Sequence, residues 1–156
     1  DEYGIGTIDF EKIIPMPSNI YRGSLGRAEQ EKYGKDNWYD WSIANWGTKW
    51  NACDTEVDGN QITFDTAWSF PRPVIEKLSE LFPDVEIGFV YADEDCGSNT
   101  GCGSITNGVY SDDTEYPDSG SNRAYELYLE VHPEYEDELV YDPDKDTYKW
   151  IDNEDE

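Results

Sequence analysis

The fold of this chain is decided by residues 62–91, which read ITFDTAWSFPRPVIEKLSELFPDVEIGFVY. Apolar and polar residues alternate at the start, which predicts a strand with Ile62 and Phe64 on its buried face. Apolar residues then recur at spacings of three and four, which predicts an amphipathic helix with Ser69 as its candidate N-cap. The members of this apolar stripe are Val74, Ile75, Leu78, Leu81 and Phe82. A proline ends the helix, and residues 85–89 alternate again and predict another strand.

A hairpin signal precedes this stretch. Asp58-Gly59, or Gly59-Asn60, lies between two β-prone segments and is typical of a two-residue turn. Strand, strand, helix and strand in this order form the later part of a βαββαβ unit, in which helices pack on one face of an antiparallel sheet. The first strand and helix of such a unit are not evident in this sequence. We expect them to lie upstream of Asp1, where the chain starts without Met, or to be replaced by the opening segment.

Four of the six tryptophans fall within residues 37–51, NWYDWSIANWGTKWN. Two short helices are predicted in this region, over residues 27–34 and from Trp38 to Trp46, each ended by a glycine. The tryptophans form either an exposed platform for a carbohydrate or nucleobase, or a wedge that locks a helix onto the sheet. Because three of them share one side of the second helix, we expect the wedge. The predicted structural signature is Trp38, Trp41, Trp46, Trp50 and Trp68.

The charge of the chain is strongly negative. Its 156 residues include 36 acids and 11 bases, which gives a net charge of −25. Residues 111–156 hold 17 of the acids and three of the bases, so this last part carries −14. Such a field repels nucleic acid and anionic membranes and steers basic partners toward the protein. Solubility or adaptation to salt is the alternative explanation of the same composition.

The acidic C-terminal part has its own predicted elements. Residues 121–139, SNRAYELYLEVHPEYEDEL, predict a third helix, and residues 139–152 predict a strand, a turn and a second strand. Carboxylates spaced along a helix and a hairpin can occupy lysine and arginine sites that otherwise hold phosphates. The candidate partner-binding residues are Glu126, Glu130, Glu134, Glu136, Asp137, Glu138, Asp142, Asp144 and Asp146.

Catalytic chemistry is poorly supported by the sequence. His132 is the single histidine, and no Ser-His-Asp or Cys-His arrangement is specified by spacing. The three cysteines favour a reducing cytoplasm over a secreted disulfide framework, although Cys96 and Cys102 flank a flexible loop that would let them pair. We therefore expect a soluble, cytoplasmic, non-enzymatic protein without catalytic residues or a cofactor.

A calcium-loop pattern in the last predicted turn fails on inspection. Asp142, Asp144 and Asp146 occupy positions one, three and five of such a loop. Position six is Thr147 where a glycine is needed, and position twelve is Asn153 where a bidentate glutamate is needed. The segment is better explained as a hairpin turn, and we expect no metal site.

Four blocks of the sequence resemble the YubB-like ferredoxin-like family of phage- and plasmid-encoded proteins of unknown function. The blocks are IDFEKIIPMP, NWYDWSIANWGTKWNA, ITFDTAWSFPRPVIEKLSELFPD and VYADED, in this order between residues 8 and 95. The resemblance covers about residues 8–110 and implies a ferredoxin-like α+β sandwich in a bacterial mobile element. It brings no activity and no catalytic residues.

These observations together predict an α+β protein with a ferredoxin-like antiparallel sheet, helices packed on one face, and an acidic C-terminal helix and hairpin extension. The predicted domains are residues 1–110 and the extension 111–156. The predicted function is binding of a basic host protein, such as a DNA-binding protein, by an acidic mimic of DNA, with no direct contact to nucleic acid or membrane. The alternative is a structural or regulatory ferredoxin-like domain that associates with itself.

Overall fold

The computed structural model describes residues 8–151. The chain divides into two compact units, which we call unit 1 (Asp1–Pro83) and unit 2 (Asp84–Glu156). The predicted boundary near residue 110 falls inside unit 2, because β-pairing around Cys102 and Glu115 links the two sides of that boundary. The division into domains 1–110 and 111–156 stays a prediction. None of the helices within residues 8–151 has the length and apolar character needed to cross a membrane.

Unit 1 contains four helices and one hairpin. Its elements in chain order are α1 Phe10–Ile13, α2 Arg27–Tyr33, α3 Trp38–Trp46, β1 Cys53–Asp58, β2 Gln61–Asp65 and α4 Arg72–Leu81. The predicted short helices are confirmed as α2 and α3. The Asn37 side chain caps α3 by accepting from the Asp40 backbone N–H, and Gly47 ends it at φ 75°, a conformation that suits glycine.

The core of unit 1 is aromatic. Phe10 is fully buried and meets Trp46 and Phe64 edge-on, with ring centroids 6.0 and 5.9 Å apart. Val74 of α4 is also fully buried in the same cluster. Edge-to-face contacts of this kind stabilise beyond the area that they bury. The short helices of unit 1 are therefore held by aromatic packing contributed from distant parts of the chain.

The hairpin and α4 of unit 1 lie where they were predicted, but their buried faces and the N-cap of α4 differ from the prediction. The turn is Gly59-Asn60, since Asp58 pairs with Gln61. Phe64 packs against the core, but Ile62 is exposed, so only part of the predicted face of β2 is buried. Ser69 does not cap α4: its hydroxyl donates to the Gly47 carbonyl. Two members of the predicted apolar stripe are exposed, namely Leu81 and Phe82.

Unit 2 contains five strands and two helical segments. Its elements are β3 Ile87–Tyr91, β4 Gly101–Thr106, β5 Val109–Tyr110, α5 Asn122–Val131, a 3₁₀ helix Pro133–Tyr135, β6 Leu139–Asp142 and β7 Thr147–Trp150. The predicted third helix is confirmed but ends at Val131, since Pro133 cannot continue the α-helical hydrogen bonding. The predicted C-terminal hairpin is confirmed as β6 and β7. Helix α5 packs against β3, β4 and β7, and Ala124 and Leu127 on its inner face are fully buried.

The α+β class is confirmed. The strands pair antiparallel throughout, in the sheets β1–β2, β3–β4–β5 and β6–β7. The predicted order of strand, helix and strand over residues 62–91 is present as β2, α4 and β3, with β2 and β3 in different sheets.

Candidate partner-binding surface

The second half of unit 2 displays most of the predicted partner-binding acids. Glu126 and Glu130 lie four residues apart on α5 and are both exposed, so they share one face of the helix. Glu134 of the 3₁₀ helix is exposed too, as are the three acids that follow this helix, Glu136, Asp137 and Glu138. Within the thirteen residues from Glu126 to Glu138, all six of these carboxylates are therefore exposed to solvent.

Arg123 neutralises part of this surface. Its Nε and Nη2 atoms lie 2.9 and 2.8 Å from Glu115 Oε2, and its Nη1 atom lies 3.2 Å from Glu126 Oε2. The hydrogen bond from Arg123 holds the pKa of the Glu115 carboxyl below its usual range, with a smaller effect of the Cys102 thiol. Glu126 is therefore already paired, which weakens its candidacy as a contact for a partner.

Asp142 is engaged by contacts within unit 2. It is buried, its Oδ2 atom lies 3.3 Å from Lys149 Nζ, and its Oδ1 atom accepts from the Asp144 backbone N–H at 3.1 Å. Burial raises the pKa of the Asp142 carboxyl, but Lys149 and the backbone N–H groups of Asp144 and Lys145 outweigh it, so the net pKa is lowered. Asp142 therefore stabilises the β6–β7 turn, and its role as a partner contact stays a prediction.

Asp146 also has partners inside unit 2. Its Oδ1 atom accepts hydrogen bonds from the Tyr141 hydroxyl at 2.6 Å and from Asn122 Nδ2 at 3.0 Å. Asn122 is the first residue of α5, so this contact links the hairpin tip to the start of the helix across 24 residues of sequence. Asn122 and Tyr141 were missed by the sequence analysis, because neither has a local pattern that marks a long-range contact. Asp144 remains exposed at the tip.

Five of the nine predicted acids are exposed and have neither an ion pair nor a side-chain hydrogen bond within residues 8–151; they are Glu130, Glu136, Asp137, Glu138 and Asp144. We call these five residues the open acidic set. Glu134 lies 3.6 Å from His132 Nδ1, a contact that becomes an ion pair only when the histidine is protonated. Unit 2 has 22 acids and three bases, a net charge of −19, and two of those bases are engaged by Glu115, Glu126 and Asp142. The open acidic set therefore acts in a strongly negative field.

The histidine and the cysteines show no catalytic arrangement in the described part of the chain. The His132 ring lies 4.7 Å from the Tyr128 ring and 6.3 Å from the Tyr135 ring, in an aromatic cluster rather than beside a nucleophile. All three cysteines are free, so Cys96 and Cys102 are not paired in the structure, and burial raises the pKa of each thiol. A raised pKa keeps a thiol protonated and unreactive at neutral pH. Across residues 8–151 there is no group of three or more His, Cys, Asp and Glu side chains that could hold a metal ion.

Three of the signature tryptophans lie in or against the core of unit 1. Trp46 is buried, and its indole N–H donates to the Ile14 carbonyl at 2.9 Å. The Trp41 ring meets the Trp46 ring edge-on at 5.2 Å, and the Trp38 indole N–H donates to the Gly23 carbonyl at 2.9 Å. These contacts hold all three side chains in or against the core of unit 1, and their assignment as a structural signature stays a prediction.

The other two signature tryptophans lie at the surface. Trp50 and Trp68 have 46% and 72% of their area exposed, so they do not form part of a buried wedge. Both rings flank Lys49, whose Nζ atom lies 4.9 Å from the Trp50 ring centroid and 4.7 Å from that of Trp68. The sequence analysis missed this arrangement, because Trp50 and Trp68 are separated by a hairpin and only the fold brings them together.

Comparison with known proteins bears on the class of this protein. A family model for a ferredoxin-like domain matches residues 45–143, which include parts of both units. No curated protein and no solved structure matches the chain.

The match and the observed elements together define an α+β protein with a ferredoxin-like domain. Because the family model matches more than half of the sequence, the chain belongs to the family described as the ferredoxin-like domain in Api92-like protein. A domain of this fold names no chemistry by itself. The resemblance to YubB-like proteins and the phage or plasmid setting stay predictions.

Proposed function

We propose that this protein is a non-enzymatic binding protein whose open acidic set recognises a basic region of a protein partner. The supporting observation is that the open acidic set is exposed and carries no ion pair within the described residues 8–151, while Arg123 and Lys149 of unit 2 are engaged by other acids. Carboxylates that are already solvated and unpaired lose no internal partner when they bind a lysine or an arginine.

The chemistry of such a surface resembles that of a nucleic-acid backbone. Arginine binds carboxylates and phosphates with the same forked geometry, and lysine binds both as a point charge. Exposed carboxylates on α5, after the 3₁₀ helix and at the hairpin tip therefore offer a basic protein an alternative to DNA phosphates. We propose a DNA-binding protein of the host as the partner, in the bacterial mobile-element setting that the family resemblance implies.

A capture experiment tests this function. The immobilised protein is exposed to a bacterial lysate, and bound proteins are eluted first with a salt gradient and then, in a parallel run, with duplex DNA. We expect a basic DNA-binding protein that elutes at moderate salt and is displaced by DNA, because salt screens charge–charge contacts between exposed groups. An empty column, or captured proteins that neither salt nor DNA displaces, would contradict the proposal.

Matched charge variants locate the contact on the protein. The test variant carries Glu136→Gln, Asp137→Asn and Glu138→Gln in unit 2, and the control carries Glu56→Gln, Asp58→Asn and Glu80→Gln at exposed positions of unit 1. Both variants change the net charge by the same amount. Three lost rim contacts should weaken binding of the purified partner by about tenfold or more. The control should retain most of the affinity; an equal loss in both would mean that only the overall charge matters.

The alternative function, self-association of a structural domain, is favoured by a different observation. Val57 of β1 and Ile62 of β2 form a cross-strand pair, and both side chains are nearly half exposed. Exposed apolar residues on a two-stranded hairpin are a possible contact for a second copy. Light scattering at low and at high salt separates the two functions, since a dimer that persists at high salt supports self-association.

A further inference from the structure

Unit 1 carries a surface aromatic cluster around a lysine, which we call the Lys49 cluster. It consists of Tyr39, Lys49, Trp50 and Trp68. The Lys49 Nζ atom lies 4.7 Å from the Trp68 ring centroid, 4.9 Å from Trp50 and 5.9 Å from Tyr39. All three distances fall within the range of about 6 Å over which an aromatic ring attracts a cation. The cluster therefore already holds one ammonium group against three rings.

The rings of the cluster are exposed to solvent. Trp68 is 72% exposed, and Tyr39 and Trp50 keep more than a third of their area in water. They thereby differ from Trp46 of the same unit, which is buried. Grouped aromatic rings at the surface, with a polar group between them, mark a binding patch rather than a core.

The backbone beneath the cluster is fixed by buried hydrogen bonds. The Thr48 hydroxyl is buried, donates to the Ala67 carbonyl and accepts from the Ala67 N–H, both at 3.0 Å. The Ser69 hydroxyl donates to the Gly47 carbonyl. These contacts join the two residues that precede Lys49 to the two residues that flank Trp68. The two side chains are thus held next to each other before any ligand arrives, which lowers the cost of binding.

Trp68 adopts a backbone conformation that costs free energy. Its φ of 67° lies in the left-handed region, which is unfavourable for a bulky side chain. The other non-glycine residues with positive φ in the described chain are Asp54, Asn99, Asn107 and Asp146, all of a type that tolerates this region. Strain held at an exposed aromatic residue by surrounding hydrogen bonds is a pattern that occurs at ligand sites.

From these observations we infer that Tyr39, Trp50 and Trp68 form a site for the guanidinium group of an arginine on a partner, and that Lys49 occupies this site in the free protein. A guanidinium is planar and less strongly hydrated than an ammonium, so it stacks on aromatic rings at a lower desolvation cost. When the guanidinium displaces it, the tethered Lys49 ammonium turns into solvent and regains its water, and the solvent screens its repulsion of the bound guanidinium. The net charge of −6 on unit 1 further favours a cationic ligand over a nucleotide.

The site goes beyond the proposed function, since it lies on unit 1 and uses aromatic rings rather than the open acidic set. If binding at the two surfaces is independent, neutralising Glu136, Asp137 and Glu138 should leave binding of an arginine probe at the Lys49 cluster unchanged. Failure at either surface can thus be distinguished from failure at the other.

The test uses the full chain and the tripeptide acetyl-Gly-Arg-Gly-amide, with its citrulline twin as the neutral control. Binding is followed by the NMR signals of the indole N–H groups of Trp50 and Trp68. We expect the arginine peptide to shift both signals and the citrulline peptide to shift them much less. Equal binding of the two peptides, or no binding of either up to millimolar concentration, would overturn the inference.

A lysine variant gives the sign of the effect. Lys49→Met keeps a long unbranched side chain and removes the internal cationic competitor, so affinity for the arginine peptide should rise about two- to fivefold, the equivalent of one exposed cation–π contact. Trp68→Ala should abolish the shift at Trp50, whereas Trp150→Ala, which removes a similarly exposed tryptophan of unit 2, should not change binding. A Lys49→Met variant with unchanged or weaker affinity would show that Lys49 does not compete for the site.

Discussion

The two units of this protein differ in aromatic content, in net charge and in the side chains that form their cores. Unit 1 holds five of the six tryptophans and eight of the eleven bases, and its net charge is −6. Unit 2 holds one tryptophan and 22 of the 36 acids, and its net charge is −19. Unit 1 depends on aromatic side chains packed around Phe10, whereas unit 2 places a short apolar helix face under a surface of carboxylates.

The difference shows that composition and role separate along the chain. In unit 1 the same residue type serves both inside and outside, since Trp46 is buried and Trp68 is exposed. In unit 2 the acids divide in the same manner: Asp142 is buried and paired, and Glu136 is exposed and unpaired. The exposed tryptophans of unit 1 and the exposed, unpaired acids of unit 2 are therefore the side chains available to bind a partner.

The largest expected effect comes from removing a buried aromatic side chain of unit 1. Trp46→Ala removes a buried indole and its hydrogen bond to the Ile14 carbonyl, and we expect it to lower the stability of unit 1 by about 3–5 kcal/mol. Trp50→Ala is the matched control and should change it by about 0.5 kcal/mol or less, because surface substitutions cost little. Hydrogen exchange followed by mass spectrometry assigns the loss to unit 1. Similar losses for both variants would mean that Trp50 also supports the fold.

A substitution of Trp68 separates an effect on stability from an effect on binding within unit 1. Trp68→Gly removes an exposed ring and relieves a left-handed backbone conformation, so the free energy of unfolding should stay the same or rise by about 1 kcal/mol. The same variant should lose binding of the arginine peptide. Chemical denaturation measures the first effect. A marked destabilisation would show that the Trp68 ring contributes to the fold, and that the strain has a structural origin.

The effect of repulsion among the acids on the stability of each unit is measured by varying the salt concentration. Raising NaCl from 0.01 to 1 M shortens the screening length from about 30 to about 3 Å and weakens the repulsion among the acids. We expect hydrogen-exchange protection to increase more in unit 2 than in unit 1, since unit 2 has the larger net charge. Sucrose at matched viscosity is the control for effects other than screening. Equal gains in both units would contradict a specific role of charge in unit 2.

The smallest expected effect concerns the ion pair of Asp142 with Lys149. The pKa of Asp142 is lower in the folded protein than its ordinary value of 3.8, so the pair stabilises above that value and its contribution is lost as the pH falls through the folded-state pKa. Asp142→Asn should therefore destabilise the β6–β7 hairpin at neutral pH and make its acid transition below about pH 4 shallower. Circular dichroism against pH measures this slope. Asp144→Asn, at an exposed and unpaired position, should retain the slope of the parent protein.

Much of the local structure could be predicted from the sequence. The spacing of apolar residues gave α4 and α5, and the glycines at positions 34 and 47 gave the ends of α2 and α3. The turn residues predicted both hairpins, β1–β2 and β6–β7. These features depend on backbone preferences and on side-chain periodicity, which act over a few residues and are therefore written in the local sequence.

The tertiary structure alone decided which members of each set are available for binding. Trp46 is buried because Ile14, 32 residues away, supplies a carbonyl to its indole, and Asp146 is engaged because Asn122 reaches it across 24 residues. The pairing of Lys49 with Trp68 likewise depends on the hydrogen bonds of Thr48 to Ala67. Burial and hydrogen bonding are properties of what lies opposite a side chain in space, and residue type and spacing along the chain do not specify them.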